Sequence, residues 1–192
     1  MNNTIRPNKA ELEFLQIAFN RFYNLYEEVI EESFWDNTPY YRFSKINNVF
    51  SVYAEILQYE PIKLVIKTIK RQRPPMEAEI ASDLFKLIRN IMSHFPFFDS
   101  WEEVNVTQNL INWDKEGKSI DKFFTKYAGA SEIKYRMWDA KNKKMTYLNI
   151  KFPNTYNQSS IIYLRDILSE KEGVLFSIAL MKNVLDTKVS PL

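Results

Sequence analysis

At 192 residues, with a formal net charge of +2, one histidine and no cysteine, the chain is long enough to bury a substantial core and is expected to form one domain with an appendage. The absent cysteines exclude disulfides and thiol nucleophiles, and one histidine cannot build a His-rich metal site, so neither a metal nor a cofactor is expected. A charge of +2 does not by itself identify a nucleic-acid-binding protein, so any RNA surface must come from local clustering of cations.

The start of the chain is polar and carries no targeting signal, and no long uncharged apolar run is present, so no membrane association is expected and cytoplasm is the expected location. The first helix is predicted from Asn8, which can cap it, with Glu11 completing a capping box. Leu12, Leu15, Phe19, Phe22, Tyr26 and Val29 then recur at spacings of three and four, giving an amphipathic helix whose seam needs a helical partner. Asp36 to Pro39 break the pattern, and a second helix is expected from near Ser44, carrying Val49, Val52, Ile56 and Tyr59. Pro61 should kink or divide it before Ile62, Val65, Ile66 and Ile69. Lys63, Lys67, Lys70, Arg71 and Arg73 form the densest basic run, at the end of this segment and in the loop reaching Pro74 and Pro75. Such a run is either a solvated helix end that complements the dipole or a cluster that holds phosphates.

Pro75 opens a third helix, with Glu77 and Glu79 in its acidic start and Ile80, Leu84, Leu87, Ile88 and Ile91 on its apolar side. Pro96 disfavours the helical conformation at Phe95, so His94 falls in the last turn. The run from Phe95 to Phe98 is expected to be buried. Ser100 and Glu103 suggest a capping box for a fourth helix leading to Val104, Leu110, Ile111 and Trp113, although the intervening Val106 to Asn109 weaken its continuity. A short helix from Ser119 to Tyr127 ends at Gly129.

Beyond that glycine the period changes from helical to alternating. Ile133–Trp138 and Met145–Phe152 read as a β-hairpin around a polar turn, with Lys134 and Arg136 opposite Tyr135 and Met137, and Tyr147, Asn149 and Lys151 opposite Leu148, Ile150 and Phe152. A basic, aromatic ribbon of this kind can hold phosphates and stack bases, and ordinary cross-strand packing also accounts for it. Ile161 to Leu168 reads as helical, and Ser169 with Glu172 caps a final helix carrying Val174, Leu175, Ile178, Met181 and Leu185. There is no Gly-rich phosphate loop, internal repeat or low-complexity tract. The expected fold is mainly α: an antiparallel helical bundle over residues 8–129, followed over 130–192 by a small β-hairpin and a C-terminal helical extension packed on it.

The residues with chemistry are concentrated at the end of the third helix, in Arg89-Asn90-Ile91-Met92-Ser93-His94. A lone histidine is commonly structural, and in an ideal helix Arg89 and His94 differ by about 140° and about 7.5 Å of rise, so a cleft with a second helix or a loosened last turn is needed for them to act together. Arg-Asn-x-x-x-His at the end of a helix, in a small helical protein, resembles the HEPN superfamily. The resemblance extends from roughly Asn8 to Gly129. It implies a helical bundle in which two protomers bring their Arg/His helices together as a metal-independent RNase site, although other members only bind nucleotides or partners.

On that resemblance His94, Arg89 and Asn90 are the candidate catalytic residues, and Lys67, Lys70, Arg71, Arg73, Lys134 and Arg136 the candidate RNA contacts. RNA cleavage suits one imidazole and one guanidinium per chain, because the 2′-hydroxyl of RNA is its own nucleophile. The expected assembly is a homodimer acting on RNA. Two alternatives stand beside it: a catalytically silent module that binds RNA, a nucleotide or a protein, and a partner subunit of a toxin–antitoxin or phage-defence assembly, with an antitoxin or regulatory protein as its partner.

Overall fold

Asn8 begins the first helix in the manner its side chain predicts. In the computed structural model, which describes residues 8–94, 99–108, 118–139 and 142–187, the Asn8 side chain accepts from the Glu11 amide at 3.0 Å and the Glu11 carboxylate accepts from the Asn8 amide at 2.7 Å. Helix α1, Lys9–Val29, thus has two of its unpaired N-terminal donors satisfied. Its seam is buried only toward the C-terminal end, where Ala18, Phe22, Leu25 and Val29 enter the core, whereas Leu12 remains 54% exposed together with Phe14 and Ile17.

A 3-10 turn at Glu32–Asp36 leads to α2, Pro39–Ile56, which starts earlier than the apolar pattern indicates. The reason is local: Thr38 accepts from the Tyr41 amide as N-cap and Pro39 occupies the first helical turn, where its missing N–H costs nothing. Pro61 divides rather than kinks the next segment, lying in the first turn of α3, Glu60–Gln72. Helix α4, Pro75–His94, follows after a short connection.

Helix α4 is central to the bundle. It touches α2 and α3, the short helix α5 at Lys118–Tyr127, the C-terminal helix α7 at Glu170–Asp186, and strand β2 at Glu132–Asp139. Leu84, Leu87, Ile88, Ile91 and Met92 are at most 1% exposed, and each such side chain contributes roughly 1.5–3 kcal/mol of burial free energy. Asn47 of α2 donates its amide to the Met92 carbonyl at 2.6 Å, satisfying one of the acceptors left open at the end of α4.

The fourth helix expected from Ser100 is replaced at Asn105–Thr107 by a strand, β1, which pairs antiparallel with β4, Ile161–Tyr163. This also corrects the helical reading of Ile161 to Leu168, which divides into β4 and the single turn α6, Leu164–Ile167. Val106 and Ile162 are opposite one another and both buried, so β-branched side chains packing across a ladder outweigh the capping signal at Ser100. Leu110, Ile111 and Trp113 lie outside the described residues, as does the run from Phe95 to Phe98.

The hairpin forms as expected. Strand β2 pairs antiparallel with β3, Lys144–Lys151, with Tyr135 opposite Leu148 and Arg136 opposite Tyr147. Tyr135, Leu148 and Ile150 face inward, while Lys134, Arg136, Tyr147 and Lys151 face solvent. Gly129 makes the exit from α5 with φ of +84°, a conformation that side chains with a Cβ disfavour, and its amide donates to the Pro153 carbonyl at 3.0 Å. Phe152 then packs on Phe123 and Tyr127 of α5, with ring centroids 5.6 and 5.0 Å apart, and Tyr135 meets Phe176 of α7 edge-on at 5.4 Å. The hairpin is therefore built into the same core as the helices.

Ser169 caps α7 by accepting from the Glu172 amide. The helix contacts α1, α2, α3 and α4, so the C-terminal extension supplies part of the bundle itself. The fold is mainly helical, a bundle with small antiparallel sheets, and no described helix is long and apolar enough to cross a membrane.

Candidate functional site

Helix α4 carries Arg89 and Asn90 to the inner part of the bundle. Asn90 is 3% exposed, and its side-chain oxygen accepts from Arg89 Nη2 at 2.9 Å and Nε at 3.2 Å. A forked contact to one acceptor restricts the guanidinium and leaves further N–H groups for a ligand. The His94 backbone closes α4, and its side chain lies outside the described residues. Two members of the sequence motif are therefore joined by hydrogen bonds.

Around Arg89 is a cavity of about 180 Å³, lined by residues of α2, α3, α4 and α7 and by the turn after α3. Four cations contribute to its lining: Lys70, Arg73, Lys86 and Arg89. Their hydrogen-bonding partners are unusual for cations so close together. Lys70 donates to the Ser82 hydroxyl at 2.8 Å, Arg73 to the Tyr135 hydroxyl, and Arg89 to the Asn90 amide oxygen. Among the described residues none of the four forms an ion pair with a carboxylate.

The nearby acids are directed elsewhere. Asp83 holds Lys126 at 3.2 Å, Glu79 also pairs with Lys126, and Glu77 pairs with Arg136 at 3.1 Å. The acidic side chains of α4 thus tie down α5 and the hairpin. They leave the Ser82, Lys86 and Arg89 row, spaced by four and three residues, as a cationic stripe.

The electrostatics show the effect. Burial, with the positive charge of Lys86 in the same direction and Asp83 partly opposing, holds the Lys70 ammonium below its ordinary value. Burial raises the Tyr53 phenol, and the charge of Arg89 acts against that shift. Burial likewise raises Tyr135, with Arg73 opposing. Both phenols stay neutral near pH 7, so the positive charge of the site is not cancelled from within.

Of the basic residues singled out by the sequence, Lys70 and Arg73 join Arg89 at the cavity. Lys67 and Arg71 are exposed on α3 and do not line it. Lys134 and Arg136 are on the outer face of the hairpin, with Arg136 engaged by Glu77 and flanked across the strands by Tyr147, which is 61% exposed. The hairpin nevertheless reaches the site through Tyr135, whose ring also lies 5.4 Å from the Arg73 guanidinium carbon. Lys86 was missed by the sequence reading, although its spacing from Ser82 and Arg89 placed all three on one helical stripe. No protein-family model, curated protein or solved structure matches the chain.

Proposed function

We propose that the chain binds RNA phosphates around Arg89 and cleaves RNA without a metal ion, in the cytoplasm and as a homodimer. The observation that supports this reading is the gathering of Lys70, Arg73, Lys86 and Arg89 around one cavity with no carboxylate paired to them among the described residues. Concentrated positive charge supplies the sequence-independent part of nucleic-acid affinity. The Arg89–Asn90 contact supplies a guanidinium already oriented for a phosphate oxygen.

The reaction proposed follows from the resemblance to the HEPN superfamily and from the chemistry of RNA. The 2′-oxygen attacks the adjacent phosphorus, the bond from phosphorus to the 5′-oxygen breaks, and Arg89 stabilises the added charge on the phosphate. His94 takes the 2′-hydroxyl proton, while a protonated imidazole from the second copy gives a proton to the leaving 5′-oxygen. The products are a 2′,3′-cyclic phosphate and a 5′-hydroxyl, and DNA is not a substrate because it lacks the internal nucleophile.

Wild-type protein is compared with His94→Ala and Arg89→Ala on structured and single-stranded RNA in EDTA, after fold and assembly are shown to match. Loss of His94 is expected to slow cleavage by roughly 10²-fold or more while RNA binding persists. Wild-type-like cleavage by both folded variants refutes the assignment, as does a 5′-phosphate product.

A second reading is a non-catalytic RNA- or nucleotide-binding module. It is favoured by one observation: Arg89 lines a pocket within its own chain. RNA binding by wild type without cleavage, weakened in Arg89→Ala and retained in His94→Ala, selects it. A stable oligomer that neither binds nor cleaves RNA instead selects a partner subunit of a toxin–antitoxin or defence assembly.

A further inference from the structure

The cationic cavity has an interior that phosphate alone does not explain. Leu57, Ile66, Ile69, Ala81, Phe85 and Val184 are among its lining residues, contributed by α3, α4 and α7 and the turn following α2. An inorganic phosphate or an RNA backbone uses the cations and leaves such a wall facing water. Tyr53, Ser82 and Asn183 also line the site, but a nucleobase needs hydrogen-bonding groups along its edges, and the aliphatic and phenyl wall offers none. An apolar group joined to an anion uses both parts of the site.

Size narrows the class further. A cavity of roughly 150 Å³ lined by Leu, Ile and Phe accommodates a benzene ring, and this one measures about 180 Å³. It therefore suits one ring or a short alkyl chain, and its charged side chains suit a single compact anionic head. Lys86 and Lys70 are exposed enough to meet that head from solvent, while Arg89 and Arg73 are partly buried.

We propose that this pocket binds a small amphipathic anion, an aryl or short-chain acyl carboxylate, with its apolar body against Phe85 and Val184 and its carboxylate among Lys70, Arg73, Lys86 and Arg89. An anion seated there offsets the unfavourable proximity of Lys70 and Lys86 and gives the four cations an ion-pairing partner that no described carboxylate supplies. The pocket is a ligand site whether or not the chain cleaves RNA.

The test is isothermal titration calorimetry of the full chain at low salt with three probes: 3-phenylpropionate, the neutral 3-phenylpropan-1-ol, and propionate, which has the head without the ring. Saturable one-to-one binding of 3-phenylpropionate is expected, with each of the other two at least about tenfold weaker. Lys86→Gln, at an exposed position that leaves the core intact, is expected to weaken 3-phenylpropionate by about tenfold, as for loss of one charge-assisted hydrogen bond. Ala78→Phe, which fills the cavity from a half-buried position on α4, is expected to abolish binding, with circular dichroism confirming the helical content of both variants.

No saturable binding by wild type overturns the proposal, as does equal binding of the alcohol or undiminished binding by both folded variants. None of these readouts uses RNA. A chain that binds 3-phenylpropionate yet never cleaves RNA keeps the pocket and loses the nuclease, and the converse pattern does the reverse.

Discussion

Replacing Gly173 with alanine is expected to destabilise the protein even though it puts a better helix former inside a helix. Gly173 lies in the first turns of α7, and a Cβ built there falls 2.5 and 2.7 Å from two carbons of the Trp101 ring and 3.2 Å from a Leu168 methyl. Carbon atoms pack comfortably at about 3.5–4.0 Å, so the ring has to move by about 1 Å. Trp101 is fully buried and its indole N–H donates to the Leu168 carbonyl at 3.1 Å, so a shift breaks either packing or a buried hydrogen bond. Overpacking costs about 1–3 kcal/mol, and a contact this short with a fully buried, hydrogen-bonded indole falls in the upper part of that range, about 2–3 kcal/mol, whereas exchanging glycine for alanine in a helix returns about 1 kcal/mol. The net expectation is a loss of about 1–2 kcal/mol, lowering the urea midpoint by about 0.5–1 M for a slope near 2 kcal/mol/M. Equilibrium urea unfolding of the two proteins, followed by tryptophan fluorescence and circular dichroism, measures it. A Gly173→Ala midpoint equal to or above that of wild type refutes the close approach of α7 to Trp101.

Two further expectations concern the contacts that hold the bundle. Arg42 grips Glu170 through Nη2 at 2.8 Å and Nε at 3.0 Å, with the side chains only 15% and 11% exposed; Glu170→Ala is expected to cost about 1–3 kcal/mol, because Nε and Nη2 lose their carboxylate while Nη1 keeps the Trp35 and Asn37 carbonyls. The double variant Arg42→Met/Glu170→Leu should lose less than that single change, and chemical denaturation showing the double variant equally or more damaged defeats the argument. Burial pushes the Glu28 carboxyl up, but hydrogen bonds from Tyr41 and Lys45 and the Lys45 charge outweigh it and leave the group below its ordinary value of 4.5. A carboxylate with a depressed folded value contributes stability that is present above the unfolded value and lost as pH falls through the folded one. Glu28→Gln should therefore be less stable than wild type at pH 7, with the gap closing below about pH 4.5; urea midpoints that differ by the same amount at pH 7 and pH 3 contradict this.

Where local chemistry decides the structure, the sequence made it legible. The Asn8/Glu11 box, the Ser169 cap, the stop at Gly129 and the alternation of Ile133–Trp138 with Met145–Phe152 each depend on residues close in the chain, and each appears where expected. Thr38-Pro39 was equally local, and the apolar period beginning nearer Ser44 concealed it. Asn105–Thr107 and Ile161–Tyr163 lie in segments whose local pattern suggests helix, because neither is a convincing strand alone. Each becomes one by pairing with the other across a long stretch of chain, which is the case in which tertiary context overrides local preference. At the site, Arg89 and Asn90 were visible as a motif and Lys70 and Arg73 as a basic run. Their convergence was not, because it depends on how α3 crosses α4 and on Tyr135 arriving from the hairpin.

That convergence bears on how the two proposed ligands would share one arginine. Arg89 is held by Asn90 and faces a cavity closed by α3 and α7 of its own chain, while an ideal helix places position 94 about 140° around and about 7.5 Å further along. A phosphate deep in the cavity would therefore be remote from the face of the helix that carries His94. Cleavage by the proposed route instead requires the phosphate at the outer edge of the cationic group, where the remaining Arg89 donors and exposed Lys86 can reach it, with a second copy completing the proton transfers. The apolar interior remains free for a ring or short chain in that arrangement, but its anionic head would meet the same cations as the phosphate. If both proposed ligands bind, their shared need for the same cations is expected to make them compete, so that 3-phenylpropionate weakens RNA binding without a change of fold; RNA affinity unaltered by saturating 3-phenylpropionate contradicts this.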